Sequence, residues 1–270
     1  MDLSAVVKQT ITYSAYFNFP LFPEEVHRWL ITSKPVSYAS LNKYLSPLSP
    51  QEILLRKRLQ TISLQKESMA KKMVEYARFI PGIRLIALTG SVAVNNSQKN
   101  DDLDLLIVTD NHCLWLVRPV FLLLLSLGFT RRHPGDTPSP CDVFCPNLWL
   151  ETKSLSIPKS KRNLYTAHEV LQIKPLLDRG DTYEAFIRSN SWVSHFLANA
   201  YPVTKATSTP KANVGLFSLL FWPFNYLSFL FQYLYMLPKK TSEYVTLHSA
   251  FFHTKDLSPL LADHLERKKL

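Results

Sequence analysis

Residues 87–109 read ALTGSVAVNNSQKNDDLDLLIVT. The stretch closes an apolar run that begins at Ile83, turns at Gly90-Ser91, crosses a polar loop and enters a second apolar run at Leu103. Both runs have strand length. Side chains alternate across a strand, so Asp102 and Asp104 are expected on one face, Leu103 and Leu105 on the other. Asp is a poor strand former. Two carboxylates held side by side also repel unless a cation lies between them. Mg²⁺ suits that place, because it takes a few carboxylates together with phosphate oxygens and water. Two such ions about 3.5–4 Å apart clamp the attacking and leaving oxygens of a phosphoryl transfer. Gly90 lets backbone and phosphate approach closely, and Ser91 offers a hydroxyl and an N–H to a phosphate oxygen. The G-x-x-x-x-G-K-[ST] spacing of a P-loop is absent.

Outward from this stretch, residues 50–80 carry apolar positions near a 3.6 period, including Ile53, Leu54, Leu59, Ile62, Leu64, Met69, Met73 and Ala77. That pattern predicts one long helix stopped by Pro81-Gly82. After the second strand, LWLVRPVFLLLLSLGF predicts a buried helix. Arg118 near its start is a candidate triphosphate contact, or else a core-edge arginine with a buried stem. CDVFCPNLWLE reads as a third extended segment. Strand, loop, strand, helix, strand gives a sheet core, and with helical flanks the class is α+β. Residues 1–50, punctuated by five prolines, read as short helices, either a winged-helix-like module or a cap on the core. Residues 51–160 hold the core, and 161–270 read as mostly helical.

Gly90-Ser91 followed by Asp102-x-Asp104, between two apolar strands, resembles the signature of the DNA polymerase beta-like nucleotidyltransferase superfamily. More of the chain is similar to uncharacterised microbial proteins with a nucleotidyltransferase domain, through LTGSVAV, LDLLIVT, LWLVR, FCPNLWL, RNLYTAHEVLQIKPL and QYLYMLPKKTSEYVTLHSAFFH. The resemblance implies a mixed-sheet nucleotidyltransferase core and transfer of a nucleoside monophosphate from a nucleoside triphosphate to an acceptor hydroxyl. Asp102 and Asp104 would hold two Mg²⁺ ions, with Gly90 and Ser91 against the phosphates. It also implies a third carboxylate, on a neighbouring strand, as metal ligand or base. The third segment offers Asp142, Asn147 and Glu151; by alternation the last two share a face and Asp142 takes the other. Asp142 is the first candidate. A strand centred on FCPNLWL would put Asn147 there instead, an amide that can ligate a metal but is a poor base. A catalytically weak nucleotide-binding or membrane-associated protein on the same fold is therefore the alternative.

Charge supports an anionic partner without choosing one: Lys and Arg number 31 against 21 Asp and Glu, a net charge of +10. Nucleoside triphosphate, nucleic acid and an anionic membrane surface are all compatible with it. The three cysteines and an N-terminus without signal-peptide character point to a reducing, cytoplasmic setting. Cys141 and Cys145 with His133 lack the second ligand pair of a structural zinc site. Residues 212–238 contain no charged side chain and are bracketed by Lys211 and by Lys239-Lys240. The run is long enough to span a bilayer, but Asn213, Asn225, Gln232 and Pro223 interrupt it, and Pro223 is expected to kink or split a helix. A helix packed in protein or lying in a membrane interface fits better.

Overall fold

The computed structural model describes residues 2–132, 141–202, 216–239, 243–252 and 257–267, with 216–220 and 239 described by backbone alone. His133 and the first residues of the uncharged run, 212–215, lie outside these. Helices α1 (Leu3–Tyr16), α2 (Pro23–Arg28) and α3 (Tyr38–Leu41) open the chain. The Asp2 carboxylate caps α1 by accepting from the Ser4 and Ala5 N–H groups. No hairpin of a winged-helix kind occurs among the described residues 2–50; their one β-contact is an isolated bridge between Thr32 and Leu197. Val7, Phe19, Leu21, Val26, Leu30 and Leu41 form a small core there, closed by Leu59.

Leu59 belongs to α4 (Pro50–Ala77), which starts at a capping box of Ser49 and Glu52. The spacing foresaw this helix but not its buried face. Leu54 and Leu64 stand exposed, while Arg56, Lys66 and Glu67 are buried. Each buried charge is paired. Arg56 donates to both carboxylate oxygens of Glu25, at 2.6 and 2.7 Å, and Glu67 pairs with Lys71 and Lys174. Lys66 Nζ donates to the Lys99 and Asp101 carbonyls and to Asp142 Oδ1.

The sheet is built from β1 (Ile83–Leu88), β2 (Leu103–Thr109), β3 (Phe144–Glu151), β4 (Lys174–Asp178), β5 (Tyr244–Val245) and β6 (Ser249–Phe251), in the order β4-β1-β2-β3-β6-β5. Only β2 and β3 run parallel. Helix α5 (Gly90–Ala93) lies between β1 and β2, and α6 (Leu114–Gly128) makes the crossover that a parallel β2–β3 pair needs. The remaining helices are α7 (Leu164–Gln172), α8 (Thr182–Ser189), α9 (Leu216–Met236) and α10 (Ser258–Arg267).

This is an α+β protein with a mixed sheet. Alternation along β2 divides its core as expected. Leu103, Leu105 and Ile107 pack with Met73, Trp115 and Phe121 of α4 and α6. Leu106 and Val108 pack on the other face with Val170 and Phe186 of α7 and α8. Covering on both faces explains why the central strands read as unbroken apolar runs. The region from residue 161 is less helical than its sequence implies, because β4, β5 and β6 come from it. KPLLD carries Pro175, and SAF is three residues long, so neither shows a strand period.

Helices α6 and α9 run through Pro119 and Pro223 without a break. Pro119 has no N–H for the Trp115 carbonyl one turn earlier. Ser228 Oγ and Gln232 Nε2 of α9 donate to that carbonyl instead, at 2.6 and 2.7 Å. Asn225 Oδ1 accepts from the Trp115 N–H at 2.9 Å. Asn225, Ser228 and Gln232 of the uncharged run are thus the groups that dock it on α6. Among the described residues no helix is long and apolar enough to cross a membrane.

Candidate functional site

Strand β1 ends at Leu88, and the chain turns at Gly90 with φ +61°. A Cβ at Gly90 would lie 2.8 Å from Asp104 Oδ2, so both the backbone angle and the neighbouring carboxylate require glycine. The loop that follows is tied down on two sides. Asn96 Nδ2 donates to the Phe17 carbonyl of the N-terminal layer, and Ser97 N donates to Ser63 Oγ of α4. With Lys66 holding the carbonyls of Lys99 and Asp101, this anchorage delivers Asp102 and Asp104 to the start of β2.

Asp102 and Asp104 line one cleft with Gly90 and Ser91, and its volume is about 740 Å³. Arg132 donates to Asp102 Oδ2. Asn147 Nδ2 donates to Asp104 Oδ1 at 2.6 Å, leaving Asn147 Oδ1 without a hydrogen-bond partner. Burial, then the nearby Glu169 and Asp102 carboxylates, push the Asp104 carboxyl up to about 8, against the opposing pull of Arg132 and a hydrogen bond with Cys145. The Cys145 thiol is itself pushed up to about 12, first by burial and then by Asp104 and Asp102. In this state Arg132 meets the Asp102 carboxylate and Asp104 holds its proton, so a cation at the pair would displace that guanidinium and that proton.

The third acid beside this pair is Glu169, on α7. Burial raises it to about 7, against a hydrogen bond from Tyr165. Sequence reasoning missed it because α7 reaches the cleft only through tertiary packing. Its neighbours on that helix, Ala167, His168, Val170 and Leu171, are all buried.

The other expected residues fall elsewhere. Asp142, the first candidate for the third carboxylate, precedes β3 in a left-handed conformation, and its carboxylate is bound to Lys66 Nζ at 2.8 Å. Asn147 faces Asp104 because the β2–β3 register shifts between Asp104 and Leu106, around Pro146. Simple alternation does not survive such a bulge. Glu151, at the far end of β3, is fully buried and accepts from His248 Nδ1 at 3.0 Å. Arg118 is not a phosphate contact. It lies on the α6 side of the sheet, donates to Gln232 Oε1 at 2.7 Å and stacks on Phe252. Burial pulls its guanidinium down to about 10.

Another wall of the cleft is the N-terminal layer, with Tyr13 of α1, Phe17 just after it and Arg28 at the end of α2. Tyr13 stacks on His168 at 4.1 Å, and burial drives His168 down to about 3, so that imidazole stays neutral. Lys174 and Arg132 add positive charge to the lining. Among the described residues no three His, Cys, Asp or Glu side chains form a ready cation cage. Asp102 and Asp104 are the donors present, and the hard oxygen chemistry of this pair suits Mg²⁺, whose remaining ligands are ordinarily water and phosphate.

No family model matches this chain, and no curated protein or solved structure matches it either.

Proposed function

We propose that the chain is a metal-dependent nucleotidyltransferase with a polymerase beta-like core, transferring a nucleoside monophosphate from a nucleoside triphosphate to an acceptor hydroxyl. The observation that carries this reading is the contact of Asp104 with the side-chain-free face of Gly90, beside Asp102, in one cleft. The antiparallel β1–β2 pair with Gly90-Ser91 between its strands, and β3 parallel to β2, supports the same reading. A pocket of about 740 Å³ has room for a nucleotide.

Asp102 and Asp104 would hold the metal, which supplies neutralisation of phosphate charge and alignment for in-line attack. Gly90 and Ser91 would lie against the phosphates, and Arg132, bonded here to Asp102, would be free to meet them if a metal were held at that carboxylate. Glu169 takes the role first sought in Asp142: it accepts the acceptor hydroxyl's proton. The oxygen then bonds to the α-phosphorus as the bond to the β-phosphate bridge breaks and pyrophosphate leaves. A carboxylate raised to about 7 is well matched to that task. Tyr13, Phe17 and Tyr165 line the cleft and offer aromatic surface beside which a base would lie.

The double substitution Asp102→Asn, Asp104→Asn should abolish Mg²⁺-dependent triphosphate binding and transfer, with an unchanged circular dichroism spectrum. Transfer by a folded double variant would overturn the assignment. Asn147 in contact with Asp104 favours a second reading, a nucleotide-binding protein without transfer. Tight Mg²⁺-triphosphate binding with no pyrophosphate released for any hydroxyl acceptor would select it.

A further inference from the structure

The α6–α9 pair is inside out. The Trp115 carbonyl orphaned by Pro119 draws Ser228 and Gln232 inward, Asn225 caps the Trp115 N–H, and Gln232 also accepts from Arg118. These three polar side chains fix the rotation of α9 about its axis. What the helix turns outward is then apolar: Leu227, Phe231 and Leu234, spaced three and four apart, are 50%, 74% and 62% exposed. Beside them α6 exposes Leu123 at 58% and Leu127 at 80%, again on one stripe. Residues 221–238 add no charged group, and Trp222 and Tyr235 are largely exposed along the same helix. Two adjacent outward stripes of this kind form a ridge larger than scattered surface leucines account for.

We propose that this ridge seats the protein flat on an anionic lipid bilayer. Three observations select a bilayer surface over other occupants. The uncharged run is bracketed in sequence by Lys211 and by Lys239-Lys240, and cations next to an apolar stretch add attraction to anionic lipids. Exposed Trp and Tyr side chains on the helix have the amphipathic character of interfacial anchors. The net charge of +10 is complementary to an anionic surface and repels a second copy. No described helix can span, so the pair lies along the interface with its polar seam still bonded to α6. The ridge and the cleft are on opposite faces of the sheet, since α6 packs with Leu103 and Leu105 while Asp104 points the other way. Docking therefore leaves the cleft open to solvent, and the inference stands independently of the proposed chemistry.

The test is flotation of the full chain with vesicles of phosphatidylcholine plus phosphatidylglycerol, and with phosphatidylcholine alone. The protein should float with the anionic vesicles and much less with the neutral ones. Leu227→Glu and Phe231→Glu should each lower the bound fraction at least about tenfold, since each removes a large inserted side chain. Both sites are exposed, so the unfolding temperature should stay that of the parent. Should either glutamate variant unfold, Lys239→Gln with Lys240→Gln gives a second readout: loss of the preference for anionic vesicles. Failure to float with either vesicle, equal flotation of folded glutamate variants, or equal flotation with neutral vesicles would overturn the proposal. So would a parent dimer in sedimentation that Phe231→Glu converts to monomer and that vesicles do not dissociate, because a second copy would then cover the ridge.

Discussion

Burial and neighbouring carboxylates act strongly on Asp104, and the consequences are measurable without any substrate. The folded protein keeps a proton on this carboxyl up to about pH 8, whereas the unfolded chain releases it near 3.8. Between those values the native state binds more protons than the unfolded state, so metal-free stability must fall as pH rises through the window. Glu169, raised from 4.5 to about 7, adds a second contribution of the same sign over the lower part of that range. Urea midpoints measured across it should decline for the parent and decline less for Asp104→Asn. Adding Mg²⁺ at the alkaline end should restore stability, and adding it near pH 7, where Asp104 still carries its proton, should release protons into a weakly buffered solution. Gly90→Ala probes the same contact from the other side. A left-handed angle costs a residue with a Cβ about 1–2 kcal/mol. The added methyl also meets Asp104 Oδ2 at 2.8 Å. The variant should unfold at lower temperature and lose Mg²⁺-dependent triphosphate binding together. Glu169 shows why part of this site was hidden in the sequence. Asp102, Asp104, Gly90 and Ser91 are neighbours through one short loop, so spacing alone brought them together. Glu169 reaches them only because α7 packs beside β1 and β2, a contact that no local pattern encodes.

At the scale of elements, the strands and helices with a full period were legible, and those assembled from tertiary contacts were not. β1, β2, β3, α4 and α6 are each at least six residues long and carry a mainly apolar or periodic pattern. β4 and β6 are short, and β4 contains a proline, so only pairing with β1 and β3 makes them strands. The buried face of α4 was misread for a related reason: hydropathy places Lys66 in solvent, but its three acceptors arrive from the loop before β2 and from the turn before β3. That lysine works as a pin between α4 and the site loop. Lys66→Met would leave the Lys99 and Asp101 carbonyls and the Asp142 carboxylate without this donor. Losing the buried donor should cost about 2–3 kcal/mol, with Asp142 contributing least because it is half exposed and can be hydrated. The local signature should exceed the global one. Amide exchange between residues 96 and 102 should accelerate more than exchange in β1, as followed by hydrogen–deuterium mass spectrometry. Uniform acceleration would make Lys66 an ordinary core residue.

Across the whole molecule, the cleft has walls from the N-terminal layer, the site loop and α7, and one ion pair decides how firmly the first is held. Arg56 of α4 donates to the Pro20 carbonyl at 2.6 Å and to both Glu25 oxygens, while its guanidinium stacks on Phe19 at 3.7 Å from the ring centroid. Through Pro20, Phe19 and Glu25 it fastens the segment that joins α1 to α2, and α1 carries the Tyr13 and Phe17 side of the cleft. Arg56→Met keeps the aliphatic stem but leaves Glu25 without its partner. Breaking a largely buried pair in this way costs about 3–5 kcal/mol, reduced here because the Glu25 side chain is 29% exposed. The cost falls first on the N-terminal layer, since Asp102 and Asp104 are held by β2, Lys66 and Asn147, and their loop meets that layer through Asn96 at the Phe17 carbonyl. A folded Arg56→Met protein should therefore bind Mn²⁺ alone with the parent's affinity, read by electron paramagnetic resonance. Its affinity for a metal–triphosphate complex should fall about tenfold, the effect of losing one aromatic contact surface. Equal loss of both affinities would mean that the N-terminal layer supports the carboxylates themselves. Loss of neither would remove Tyr13 and Phe17 from the nucleotide's wall and leave the cleft's function to the sheet side alone.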